Sequence, residues 1–204
     1  MSVPPVAPMP RRARPGFHPN VAVTRAAAAV LWAIVYLLTL HGQRVLSTSD
    51  IPLLAGLLLA AYPVIDAVAS ISGLRLAPDR AQLRAGVVID GLAVIGLLIA
   101  TLGLRTESVL IVFGAWAFAS GLLQLTRAWR ADRSRRVQLP LIISGGISAI
   151  AGIFFAATAA QHVAQLSTLG GYAVLGAVFF VGWSLIDRRA RGRADAVVAH
   201  VHAS

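Results

Sequence analysis

The sequence predicts an all-α, polytopic membrane protein: six transmembrane helices arranged as three hairpin repeats, with both termini cytoplasmic. Composition is the first observation behind this. Of 204 residues, 57% are hydrophobic and 13% charged, and the mean hydropathy is +0.76, too apolar for a soluble domain of this length. The second is that the apolar residues gather into six stretches, each near the roughly 20 residues that a helix needs to cross about 30 Å of hydrocarbon. Charge placement is the third. Sixteen of the eighteen arginines lie in four clusters: Arg11, Arg12, Arg14 and Arg25; Arg75, Arg80 and Arg84; Arg127, Arg130, Arg133, Arg135 and Arg136; and Arg188, Arg189, Arg191 and Arg193. Only Arg44 and Arg105 lie in the segments between. Basic residues resist translocation, so the N-terminus, second loop, fourth loop and C-terminus are assigned to the cytoplasm.

Residues 1–20 hold six prolines and three arginines with little to bury, which predicts a disordered Pro/Arg-rich cytoplasmic tail. The transmembrane domain then occupies 21–188. Its spans run over Ala26–Gly42, Ile51–Gly73, Gly86–Leu104, Val109–Ala128, Leu139–Ala160 and Leu166–Ile186. Backbone polar groups in lipid must be satisfied within the segment, and the alternation of a barrel strand is missing, so the spans are read as helices. Span one follows a basic run like that of a signal peptide, but His41 to Asp50 offers no small-residue cleavage site, so it is read as retained. Residues 189–204 form a short basic cytoplasmic tail. The loops are too short to house an active site, which leaves any chemistry to the space between helices.

A pI of about 11.7 would suggest nucleic acid in a soluble protein. Here the arginines flank spans and no polar domain accompanies them, so the expected partners are the bilayer and its anionic lipids at the inner face, and no nucleic acid. The absence of cysteine removes disulfides and thiolate chemistry. Lysine is also absent, and the excess of Ala, Gly, Arg and Val points to a GC-rich genome and a bacterial plasma membrane.

An internal repeat supports the helix count. Tyr62, Trp116 and Tyr172 lie at spacings of 54 and 56, and four residues after each comes Asp66, Ser120 or Gly176. A shift of 54 also lays Asp90-Gly91 on Ser144-Gly145, whereas span one fits the register poorly. Parallel hairpin repeats stacked into one bundle are the simplest architecture such a pattern allows. In span five, Ser144, Ser148, Gly152, Ala156 and Ala160 recur every four residues and form one small-residue stripe. Such stripes let backbones approach closely, here either within the chain or across a homo-oligomer seam.

The segments VLIVFGAWAFASGLLQLTRAWR, LPLIISGGISAIAGIFFAA and LGGYAVLGAVFFVGWSL resemble the HdeD-like membrane proteins, short six-helix proteins built from Gly-rich hairpin repeats. The resemblance covers about Ile51 to Arg188. It implies a bacterial inner-membrane protein, in a family with one namesake linked to acid resistance, and it supplies no catalytic motif to carry over. The Pro-rich tail and weak first repeat depart from the pattern.

Asp66 and Asp90 are the ionisable residues read as lying well inside spans, and intramembrane carboxylates are functional-site candidates by default. Asp66 is nine residues from Arg75 and Asp90 six from Arg84, about 13 Å and 9 Å along a helix, so both sit in the cytoplasmic half. They are read either as a proton-titrating pair, since two desolvated carboxylates near each other resist being charged together, or as structural hydrogen-bonding groups. Their repeat equivalents, Ser120 and Ser144, are expected to face helices rather than lipid. Tyr62, Trp116 and Tyr172 are read as core packing, and Trp129 and Trp183 as interface anchors. His41 and His162 are assigned to outer loops. His200, His202 and Asp195 lack zinc-site spacing, and no metal or cofactor is expected. No Walker motif, HExxH or nucleophile with a histidine partner appears. The expectation is a non-enzymatic integral inner-membrane protein of the HdeD-like kind involved in acid or envelope stress tolerance. The alternative is a small proton-coupled transporter or channel using Asp66 and Asp90.

Overall fold

The computed structural model describes residues 19–74, 80–103, 105–130 and 135–203, and within them the chain is six helices. They are α1 (Pro19–Thr39), α2 (Leu53–Leu74), α3 (Ala81–Gly103), α4 (Thr106–Arg130), α5 (Arg135–Thr158) and α6 (Ser167–Ala203). All six are long and apolar enough to cross a membrane. Their outer faces carry exposed Leu, Ile and Val, among them Leu31, Leu92, Ile99, Leu102 and Ile150, as lipid-facing surfaces do. The most N-terminal stretch read as tail, and Arg75, Arg133 and Ser134, lie outside the described residues.

Two boundaries differ from those read in the sequence. Helix α1 begins at Pro19 rather than Ala26, which places Arg25 inside a span; its charge is met by a carboxylate on α2, so the helix has no need to end at it. Helix α6 continues through the segment read as a basic tail, since Arg188 to Ala203 contains no helix breaker except Gly192.

Each helix packs on its neighbours in sequence, and α6 closes the ring on α1. The most intimate pairs are α4 with α5, α2 with α3, and α6 with α1, an even helix with the odd helix that follows it around the ring. Small residues set this pairing. A Cβ on Gly56 would lie 2.3 Å from Thr101 Cγ2, and one on Gly170 would lie 2.7 Å from Leu37 Cδ2. Between α4 and α5 the backbones themselves touch. A Cβ on Gly114 would lie 2.5 Å from the Gly152 carbonyl, and one on Gly121 would lie 2.7 Å from that of Gly145. Where lipid removes the hydrophobic drive, such close approach supplies the association energy through van der Waals contact.

Pro63, buried inside α2, lacks the N–H that would close one turn of the helix. One residue before the Leu59 carbonyl that Pro63 leaves without its helical donor, Trp32 of α1 donates its indole N–H to the Leu58 carbonyl at 2.6 Å and ties α1 to α2. Aromatic rings fill the centre of the bundle. Tyr62 stands edge-on to Trp116 at 5.5 Å and to Tyr172 at 6.4 Å, with Phe113 and Phe155 beyond. The three aromatics that mark the repeat thus meet in one layer.

The end of the bundle away from the basic clusters is closed by its loops. Leu46 and Val163 form an antiparallel bridge, with Ser47 donating to the His162 carbonyl at 3.2 Å and Ala164 to that of Val45 at 2.9 Å. The N–H groups of Thr106 and Glu107, at the start of α4, donate to the carbonyls of Ser49 and Ser47. Those are donors that a helix start would otherwise leave without partners.

Candidate functional site

Between the aromatic layer and the basic end lies a cavity of about 670 Å³, walled by all six helices. Its position follows from the repeat: the residue one turn beyond each central aromatic, Asp66, Ser120 or Gly176, lies on its wall, as do Asp90 and Ser144. Threefold repetition of short or absent side chains at the same depth leaves a space on the axis that no core residue fills.

Four charged residues enter that space from four helices. Arg25 of α1 donates through Nε and Nη2 to the two carboxylate oxygens of Asp66 on α2, a fork that pairs the two charges. Its Cζ also lies 3.9 Å from the ring centroid of Phe180 on α6, so one guanidinium joins three helices. An unpaired arginine within a span is costly, and the carboxylate of Asp66 offsets that cost.

Asp90 of α3 is 3% exposed and accepts a 2.9 Å hydrogen bond from the Trp116 indole. Its direct donor is therefore neutral, while Asp66, Arg25 and Arg127 act on it through space. Arg127 of α4 donates through Nη2 to the Gln82 carbonyl and rests against Gly86, where a Cβ would come within 2.6 Å of that nitrogen. Its Nε is buried without a hydrogen-bond partner. Tyr172 donates to Ser148 Oγ at 3.2 Å, tying α6 to α5 beside the cavity.

Asp66 and Asp90 thus reach one site, but as half of a charge-balanced quartet whose cationic half had been assigned to the cytoplasmic fringe. Arg25 and Arg127 read as topology signals because each sits at the edge of an apolar run. The available clues were that no Gly or Pro separates Asn20 from Arg25, so α1 had no reason to begin after it, and that Arg127 already fell within the span read as Val109–Ala128. Of the stripe on α5, Gly152 and Ala156 lie against Gly114 and Ser148 lies against Gly121. Ser144 is buried on the cavity wall, and Ala160 is exposed in the loop beyond the helix. Trp183 is corrected: rather than anchoring at the interface it is 1% exposed and lines the cavity, because it follows Phe180 on the inward face of α6. Trp129, by contrast, is 63% exposed at the basic end. His41 and His162 are exposed in loops, and the side chains of Asp195, His200 and His202 lie outside the described residues.

Fold and site together define a multi-pass membrane protein: six helices ringed around a charged chamber that reaches the basic end. Residues 85–157, which cover most of α3, all of α4 and nearly all of α5, match a family described as a short repeat of unknown function (DUF308), which includes HdeD-like membrane proteins. No curated protein and no solved structure matches the chain.

Proposed function

We propose that this chain is a non-enzymatic protein of the HdeD-like kind in the bacterial plasma membrane, with both termini cytoplasmic, and that it works through the chamber as a proton-exchanging binding site. The observation that carries this reading is the quartet Arg25, Asp66, Asp90 and Arg127, buried at Asp90 and half-buried at the other three. Buried ion pairs return little net stability, so four charges in the interior of a small membrane bundle speak for a use other than folding. Carboxylates, guanidiniums, amides and hydroxyls line the site.

Asp90 is the residue placed to take up and release a proton, because its direct partner is an uncharged indole whereas Asp66 is engaged by Arg25. The aromatic layer and the loop cap fill the other half of the bundle. Exchange with one side therefore suits the geometry better than an open channel, and transport would require the cap to part. A role in acid or envelope stress tolerance fits a site of this kind.

Asp90→Asn keeps shape and hydrogen bonding while removing the ionisable proton, so it should fold normally yet take up one proton fewer than the unaltered protein in an acid titration in detergent, and reduce acid survival when expressed in a deletion strain. Wild-type survival with the same proton uptake in Asp90→Asn as in the unaltered protein would overturn proton exchange. Orientation has its own check, since the chain has no cysteine. A cysteine at the exposed Gln161 should react with an impermeant maleimide in spheroplasts, and one at the exposed Gly192 only after lysis. The reverse pattern would invert the topology.

A further inference from the structure

The chamber holds two polar groups whose bonding capacity the protein itself leaves open. A carboxylate has about four lone-pair sites, and Asp90 receives one hydrogen bond. Arg127 has five N–H donors, of which one reaches Gln82, and its Nε is buried with no partner. No ion pair joins Asp90 to Arg127 among the described residues. A buried donor without a partner costs about 1–3 kcal/mol, so an acceptor that reached this guanidinium would be favoured.

The two open groups differ in sign and in depth. Arg127 meets α3 at Gly86, one helical turn, about 6 Å, nearer the basic end than Asp90. The buried charges balance, Arg25 and Arg127 against Asp66 and Asp90, while Arg130 at the rim is exposed. A ligand of net charge would upset that balance in a low-dielectric site; one with two opposite poles and no net charge would not. An ammonium and a carboxylate on one carbon, each extended by a hydrogen bond of about 2.8 Å, can address two groups that lie at different depths of the chamber. The volume, about 670 Å³, leaves room for an apolar body against Tyr62 and Tyr172, and falls within the range of about 300–1,000 Å³ usual for small-molecule sites.

Resting on the reading that the chamber is the working part of the molecule, we infer that it binds a small soluble zwitterion, an amino acid or short peptide with an apolar side chain. The ammonium lies on Asp90 and the carboxylate on Arg127. A lipid with an ethanolamine headgroup shares this chemistry, but the ring of helices is closed on itself and the cavity reaches the basic end, which favours a ligand arriving from water.

The test compares three probes with one body: phenylalanine with both poles, phenethylamine with only the cation, and 3-phenylpropionate with only the anion. They are titrated calorimetrically into the full-length protein in phosphatidylglycerol nanodiscs. Phenylalanine should bind at least tenfold more tightly than either single-pole probe. Arg127→Gln should erase its advantage over phenethylamine, and Asp90→Asn its advantage over 3-phenylpropionate. Equal binding of the three to the unaltered protein, or binding of none, overturns the inference whether or not the variants fold. Adding phosphatidylethanolamine to the nanodiscs should leave the affinity unchanged, and competition by that lipid would overturn the assignment to a soluble ligand. Binding without proton uptake at Asp90 upholds this site and overturns proton exchange there, whereas proton uptake without binding does the reverse.

Discussion

Gly152→Leu is expected to be the most damaging single change at the seam between α4 and α5. A Cβ at Gly152 would lie 2.5 Å from the Gly114 carbonyl and 2.5 Å from the Phe118 nitrogen, and both are backbone atoms that cannot rotate away. The helices must therefore separate, and with them goes the contact that Gly121 makes with Gly145 two turns further along. Overpacking usually costs about 1–3 kcal/mol; a branched side chain driven between two backbones belongs at or above the top of that range. Ala157→Leu is the control, because Ala157 is exposed and a larger apolar group there meets lipid, with a cost within about 0.5 kcal/mol. Folded yield in detergent by fluorescence-detected size exclusion, followed by thermal unfolding, measures both. Equal losses at the two positions would mean the stripe reflects composition rather than contact. Dissociation of an otherwise intact oligomer by Gly152→Leu would place the seam between subunits.

Asp66→Leu and Arg25→Leu are each expected to destabilise the bundle by about 3–5 kcal/mol, since each leaves the opposite charge in the interior without its partner. The double variant should recover most of that loss, because two apolar side chains replace two compensated charges at much the same depth. Recovery will be incomplete by the cation–π contact with Phe180, worth about 0.5–2 kcal/mol. A double-mutant cycle of thermal stability in detergent reads the coupling directly. Additive losses would show that Arg25 and Asp66 do not depend on each other and would dissolve the quartet on which the proposed function rests. Asp66→Asn separates geometry from charge: it keeps one acceptor oxygen for Arg25 but removes the compensating negative charge, and its loss should fall between those of wild type and Asp66→Leu.

What the sequence determined by itself about this protein is whatever depends on local composition. Hydropathy summed over some twenty residues set the six helices, because a bilayer rewards apolar length regardless of which residues supply it. Arginine spacing separated the two ends of the bundle, and the recurrence of Tyr62, Trp116 and Tyr172 announced three related units whose aromatics do meet at the centre. The candidate carboxylates could be named for the same reason: an aspartate within an apolar run is conspicuous wherever its side chain points.

The tertiary structure alone decided what each of those residues touches. Arg25 lies at the border of a run, and nothing local distinguishes an arginine in headgroups from one whose partner, Asp66, is forty-one residues away on another helix. Arg127 and Trp183 were misplaced likewise, since their inward direction depends on the rotation of α4 and α6. That rotation is set by glycines meeting backbone at Gly121 and by side chains packing at Gly170. The chamber is further still from the sequence, because it is a space left where Asp66, Ser120 and Gly176 fall short of the axis together. A cavity is a property of the closed ring, and no helix carries it alone.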